Sequence, residues 1–196
     1  MMKYSAGLIS KSYWYLESKK TAKYMLDGLS RKQIVELAIS DNIYQVESEY
    51  RSKTIANSIY TRLISLPEDI LEAIVNSDIT TSKILVLISI MKTDRLFFEF
   101  MHEVFRNKVI TGDLTIEERD LNIFFDGKKI QSEIIDKWVY TTIRSLKSGY
   151  LKMITESGLY NYESKEIKLP IFDYKVQQLL LENDLAPYLY AITGEK

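Results

Sequence analysis

Helix-breaking residues are scarce in this chain. Proline stands at three and glycine at seven of 196 positions. These two residue types are the strongest local interrupters of a helix, so long stretches are left free to be helical. The interrupters that do occur, together with Ser, Thr and Asp at helix starts, divide the sequence rather regularly. A first helix is predicted from about Ser12 to Asp27, ending at Gly28, which suits the left-handed position after a helix. Ser30 opens a second, with Gln33 at capping-box spacing, and it stops near Asp41 and Asn42. A third, from about Ser48 to Ser65, places Ile55, Ile59, Leu63 and Leu66 on one apolar stripe that must bury against a neighbour. Pro67 begins a fourth, with Glu68 and Asp69 toward its positive end. Thr80 to Lys92 and Thr93 to Ile110 read as two more, the second with Phe97, Met101, Val104 and Phe105 on one face.

Thr115 with Glu118 repeats the capping-box signal before a helix that Gly127 is expected to stop. A last long helix runs from near Gln131 to about Ser148, with Ile135, Trp138, Val139, Thr142 and Leu146 on its apolar side. Core packing is expected for Phe97, Phe105, Trp138 and Phe172. Beyond Ser148 the period changes. Leu159 to Tyr162 and Glu166 to Leu169 flank a polar turn and predict a β-hairpin, after which a helix from about Asp173 to Asn183 leads into a tail containing Pro187. No unit of 20 to 50 residues repeats, which argues against a solenoid. The expectation is an all-α single domain over residues 1–196, divisible into a bundle over 1–110 and a helix-plus-hairpin region over 111–196. The long helix, a short helical turn through Leu151 to Thr155 and the ribbon have the order of a winged helix-turn-helix. A hairpin that only covers a core edge fits the same residues.

Composition excludes more functions than it suggests. There is no cysteine and one histidine, so disulfides, a thiol nucleophile, zinc fingers, iron–sulfur sites and a His-rich metal centre fall away. The most apolar window, Ile84 to Met91, is closed by Lys83 and Lys92 and is far shorter than the about 20 residues a membrane span needs. A buried helix is the better reading. The apolar stretch near the N-terminus is broken by Ser10 and Lys11, short of a signal-peptide core, and a cysteine-free chain fits the reducing cytosol. No P-loop, dinucleotide or serine-hydrolase motif occurs. Glu99, His102 and Glu103 share one helical turn with metal-site spacing but lack further ligands; a surface histidine among acids is the simpler reading. Glu117, Glu118 and Asp120 are explained by the helix macrodipole. The chain is therefore expected to be no enzyme and to hold no catalytic residues, cofactor or metal.

The near-neutral net charge of −1 conceals a segregation: +4 over residues 1–66, −6 over 67–127, +3 over 128–168 and −2 over 169–196. Basic groups cluster as Lys19, Lys20 and Lys23, as Arg31 and Lys32, as Arg51 and Lys53, and as Lys128 and Lys129. A further group is Lys137, Arg144, Lys147 and Lys152. Tyr13, Tyr15, Tyr24, Tyr50, Tyr140 and Tyr150 are interleaved with them. Cations that neutralise phosphates, mixed with hydroxyls and rings, make the kind of surface nucleic acids meet. Solvated helix faces, with pairs such as Glu133 and Lys137 at four-residue spacing, explain the same residues. The acidic middle and surface aromatics would equally suit a protein partner. Tyr13, Trp14 and Tyr15 cannot all be buried on so short a face, so at least one meets a partner, a ligand or another part of the chain.

Four segments carry a resemblance. The opening K-Y-S-A-G-L-I, N-I-Y-Q-V-E-S-E-Y-R-S from Asn42 to Ser52, R-L-I-S-L from Arg62 to Leu66, and S-G-L-Y before the hairpin resemble the BrxA family of BREX bacteriophage-defence loci. The resemblance implies a NusB-like helical core, double-stranded DNA as a partner and work alongside other BREX proteins. It makes Arg51, Lys53 and Arg62 candidates for a DNA-facing or structural role. It also brings an inner-membrane label, which the eight-residue apolar window opposes. The leading expectation is a cytoplasmic, non-enzymatic defence component that binds double-stranded DNA mainly through phosphates. Its alternatives are an adaptor docking a larger component and, against the composition, a metal-dependent nuclease using Glu99 and His102.

Overall fold

The computed structural model describes residues 2–171 and 173–195, so the core expectation for Phe172 lies outside the described residues. A single 3-10 turn, Gly7–Ser10, precedes α1 (Tyr15–Leu26), α2 (Arg31–Ser40), α3 (Glu49–Leu63), α4 (Glu68–Asn76) and α5 (Ile79–Thr93). Local chemistry sets these starts. The Ser30 hydroxyl and Gln33 amide form the capping box, Ser48 accepts from the Arg51 N–H, and Asp78 accepts from the N–H groups of Thr80 and Thr81. Each satisfies a backbone donor that the first turn would leave unpaired.

Helix α5 organises the rest. Every residue from Ile84 to Met91 is buried, so the apolar window is a helix surrounded on all sides, as a helix without a polar face must be. Ser89 tolerates this position because its hydroxyl donates to the Val86 carbonyl. Helices α1, α3 and α4 pack against α5, as do α6 (Arg95–Phe100), α10 (Tyr140–Glu156) and α12 (Ala186–Thr193). Asp94 ends α5 and caps α6 by accepting from the Phe97 N–H. The predicted helix to Ile110 is continuous but not uniform: α6 passes through a π-helical turn at Met101–Phe105 into α7 (Arg106–Thr111).

Several local expectations are corrected. Gly127 does not stop its helix; α8 runs from Glu118 to Gln131. Thr115 is not a cap but bridges to Glu166 of the hairpin, and at the start of α8 the Asp120 carboxylate accepts from the Glu117 N–H. The single helix expected from Gln131 is broken into a one-turn α9 (Glu133–Asp136) and the long α10. Trp138 and Val139 fall in the break, so Trp138 is half-buried against the core and Val139 is exposed. The tail after Asn183 is the further helix α12, with Pro187 in its first turn, where a missing N–H costs nothing. Helix α11 (Tyr174–Glu182) matches its expectation.

The hairpin pairs β1 (Tyr160–Asn161) with β2 (Glu166–Ile167) antiparallel, Tyr160 opposite Ile167. Both of those side chains are buried. Asn161 Oδ1 shapes the turn by accepting from the N–H groups of Glu163 and Ser164. The outer edge of β2 is covered by the segment before α8: the Ile167 N–H donates to the Leu114 carbonyl and the Ile116 N–H to the Lys165 carbonyl. The ribbon thus seals a core edge with Tyr160 and Ile167, while its turn and Glu166 face solvent. One contiguous core includes Leu85 and Phe97 as well as Ile154, Ile167 and Ile192, and α11 and α12 pack back onto α4, α5 and α7. Among the described residues, no helix is long and apolar enough to cross a membrane.

Candidate nucleic-acid interface

Helix α10 buries Ile143, Leu146, Tyr150, Met153 and Ile154. Helical spacing therefore turns Thr141, Arg144, Ser145, Ser148 and Lys152 outward, and all five are exposed. Depressions flank this face on both sides. One, toward the 3-10 turn, is lined by Lys11, Ser12, Arg144, Ser148 and Lys152. The other, toward the hairpin, shares Arg144 and Ser148 and adds Lys147, Leu151, Tyr162 and Lys165. A third shares Ser12 and Lys152 with the first and reaches Trp14, Val46 and Arg51. Arg51, Lys152, Lys11, Arg144, Lys147 and Lys165 thus lie along adjoining grooves. Lys152 pairs with Glu156 at 3.7 Å. Among the described residues, the other five have no carboxylate within 4.0 Å; Lys147 instead donates to Asn122 Oδ1.

Arg62 lies beneath this face and not on it. Only 3% of it is exposed, and its Nη1 donates to the carbonyls of Ser12 at 3.0 Å and Tyr13 at 3.4 Å. The guanidinium lies 5.3 Å from the centre of the Trp14 ring. Burial pulls its pKa down to about 10 against the attraction of Asp94, which leaves it charged at neutral pH. Burial, followed by repulsion from Arg62, lowers the Lys11 pKa as well. Trp14 itself is held left-handed at φ 56°, while the Tyr13 hydroxyl donates to the Lys83 carbonyl. Lys83 Nζ also lies over the Tyr15 ring at 5.7 Å; all three clustered aromatics therefore meet other parts of the chain, and Arg62 fixes the backbone that presents Lys11 and Ser12.

Lys128 is the second buried cation. Its Nζ lies 2.6 Å from both Glu99 and Glu103 and over the Phe124 ring. Burial alone would lower its pKa, but the two carboxylates raise it. Glu99 also accepts from Arg95 at 2.7 Å and from the Tyr4 hydroxyl at 3.0 Å, so its oxygens serve an ion-pair network. No group of three or more His, Asp and Glu suited to a metal occurs among the described residues.

The remaining cations lie outside these grooves. Lys19, Lys20 and Lys23 ride on α1, where Lys20 donates to the Ile43 carbonyl at 2.8 Å. Arg31 donates to Asn57 Oδ1 at 2.8 Å, and Asn57 lies one turn beyond Lys53 on α3. Lys32 pairs with Glu36 at 3.7 Å and Lys129 with Asp126 at 3.6 Å. Lys137 follows α9. The structure brings together Arg51, Arg144, Lys147 and Lys152 of the basic residues singled out in the sequence, withdraws Arg62 and Lys128 into the interior, and adds Lys11 and Lys165. Those two sit in turns, where no periodicity marks which side chain faces outward.

Fold and surface together define a helical domain around one central buried helix, with a cation-lined face along α10. The BrxA family model matches residues 2–184. The BREX protein BrxA of Bacillus cereus (strain H3081.97) is 37% identical over 194 residues, covering 98% of this chain and 97% of that protein. The chain belongs to the BrxA family. In fold it is also similar to an uncharacterized protein from Magnetospirillum magneticum known from a crystal structure, with TM-score 0.83 over 99% of this chain and 100% of that one at 15% identity.

Proposed function

We propose that this chain is a non-enzymatic component of a BREX system, working in the cytoplasm with other BREX proteins and binding double-stranded DNA mainly through its phosphates. One observation carries the reading: Lys11, Arg51, Arg144, Lys147 and Lys165 line adjoining grooves without carboxylate partners among the described residues. Cations already neutralised by neighbours gain little from a phosphate, whereas unpaired ones release counterions from DNA. The hydroxyls of Thr141, Ser145 and Ser148 between them suit phosphate oxygens. Lys19, Lys20, Lys23, Arg31, Lys32, Lys53, Lys129 and Lys137 form a second, outlying set.

A fluorescence-anisotropy titration of a blunt duplex across salt concentrations tests this. Binding should weaken steeply with salt, and the slope of log K against log salt should fall by about 0.9 for each phosphate contact removed. Arg144→Ala should produce such a fall, while joint replacement of Lys19, Lys20 and Lys23 by Ala should change affinity less. No complex at low salt refutes DNA binding; a larger loss from the triple variant moves the interface to α1. The adaptor reading is favoured by a different observation, the exposed Ile123, Ile130 and Ile134 on α8 and α9. Co-purification with another BREX protein that survives nuclease treatment and the Arg144→Ala change supports it.

A further inference from the structure

The groove between α10 and the hairpin combines rings, aliphatic side chains and three cations that have no carboxylate partner among the described residues. Its walls are apolar and aromatic: Leu121 and Leu151, with the buried Tyr160 and the exposed ring of Tyr162 at the turn. Its volume, about 290 Å³, is at the small end of ligand pockets. Arg144, Lys147 and Lys165 line it as well, together with a single carboxylate, Glu118. A groove serving phosphates alone would gain nothing from apolar walls and would lose attraction to a carboxylate. A nucleobase suits both, because its faces stack on rings and aliphatic side chains and the exocyclic amine of adenine, cytosine or guanine donates to a carboxylate. Tyr162 is 62% exposed, whereas core packing would hide a ring of this size. Glu118, although well placed for the helix dipole, makes no ion pair among the described residues.

We propose that this groove receives one unpaired DNA base, stacked on Tyr162 with its amine at Glu118, while Arg144, Lys147 and Lys165 hold the adjoining phosphates. The inference rests on the DNA-binding reading above and names a substrate class within it: duplexes carrying an overhang or another unstacked base. Fully paired duplex offers no base to the groove. It is held by the phosphate contacts alone.

The test compares a blunt duplex with the same duplex bearing a one-nucleotide overhang of 2-aminopurine, which reports stacking by its fluorescence. The expected result is roughly tenfold tighter binding of the overhang, with quenching on complex formation. Tyr162→Ala should abolish the difference and leave blunt-duplex affinity unchanged; Tyr162→Phe should retain it. Tyr162 is exposed, so an unchanged melting temperature will confirm that the variant folds. Equal affinity for the two duplexes, or an equal loss on both from Tyr162→Ala, overturns the base pocket while leaving phosphate binding intact. Absence of binding to either duplex overturns both readings.

Discussion

Arg62 and Lys128 are the two residues at which a sequence of charges misleads most. In the chain they resemble any other basic side chain, but each is buried beside groups far away in sequence: the carbonyls of Ser12 and Tyr13 for one, Glu99 and Glu103 for the other. A buried charge is tolerable only when paired or hydrogen-bonded, and that condition is set by tertiary structure. Lys128→Met is therefore expected to lower stability by about 1–3 kcal/mol in urea unfolding and to leave DNA affinity unchanged. Arg144→Ala, at an exposed position, should do the reverse. The Lys128 network also predicts a pH dependence. Burial works against ionisation of Glu99, but hydrogen bonds from Lys128, Arg95 and Tyr4 outweigh it and hold the carboxyl below its ordinary 4.5. The folded state then binds this proton less readily than the unfolded one, so the stabilisation is full above about pH 4.5 and is lost as pH falls through the depressed value. The urea midpoint of the native chain should drop over that range, and Lys128→Met should flatten the drop. Subtracting the two curves removes other carboxyls such as Asp94, whose burial raises its pKa.

At the scale of elements, the starts of helices were readable because their causes are local. Ser30, Ser48 and Asp78 cap within three residues of themselves, and those spacings are visible in one dimension. The failures have non-local causes. Glycine costs a helix interior only about 1 kcal/mol relative to alanine, and continuing α8 past Gly127 carries Lys128 to Glu99 and Glu103, so the helix continues. The interruption after α9 and the π turn at Met101–Phe105 depend on packing against neighbours and have no local marker. Gly127→Ala offers a direct test. The residue lies inside α8 without a positive φ, and an added Cβ would meet nothing within 4 Å. Stability should rise by about 0.5–1 kcal/mol, read as a higher denaturation midpoint. Gly127 lines a depression with Asn107 and Lys108 of α7 and Ile123 of α8, and a fall would mean that this depression needs the missing side chain.

For the whole molecule, the charge segregation along the chain was half the story of the surface. Part of the acidic middle is neutralised within the fold, Glu99 and Glu103 by Lys128 and Asp113 and Asp120 by Lys108. The basic face is instead assembled from the first turn, α3, α10 and the hairpin. Only the fold brings those four together, around α5. The same central position makes the last helix integral. Leu185, Leu189 and Ile192 are each at most 1% exposed and join the core shared by α5 and α7, although the family match ends at residue 184. Burying such side chains contributes about 1.5–3 kcal/mol each. A chain ending after Asp184 is thus expected to lose about 5 kcal/mol or more, a large share of the stability typical of a domain this size. Circular dichroism should show a lowered or broadened melt. An unchanged melt would establish α12 as a peripheral tail and remove the packing that joins the C-terminal segment to α5.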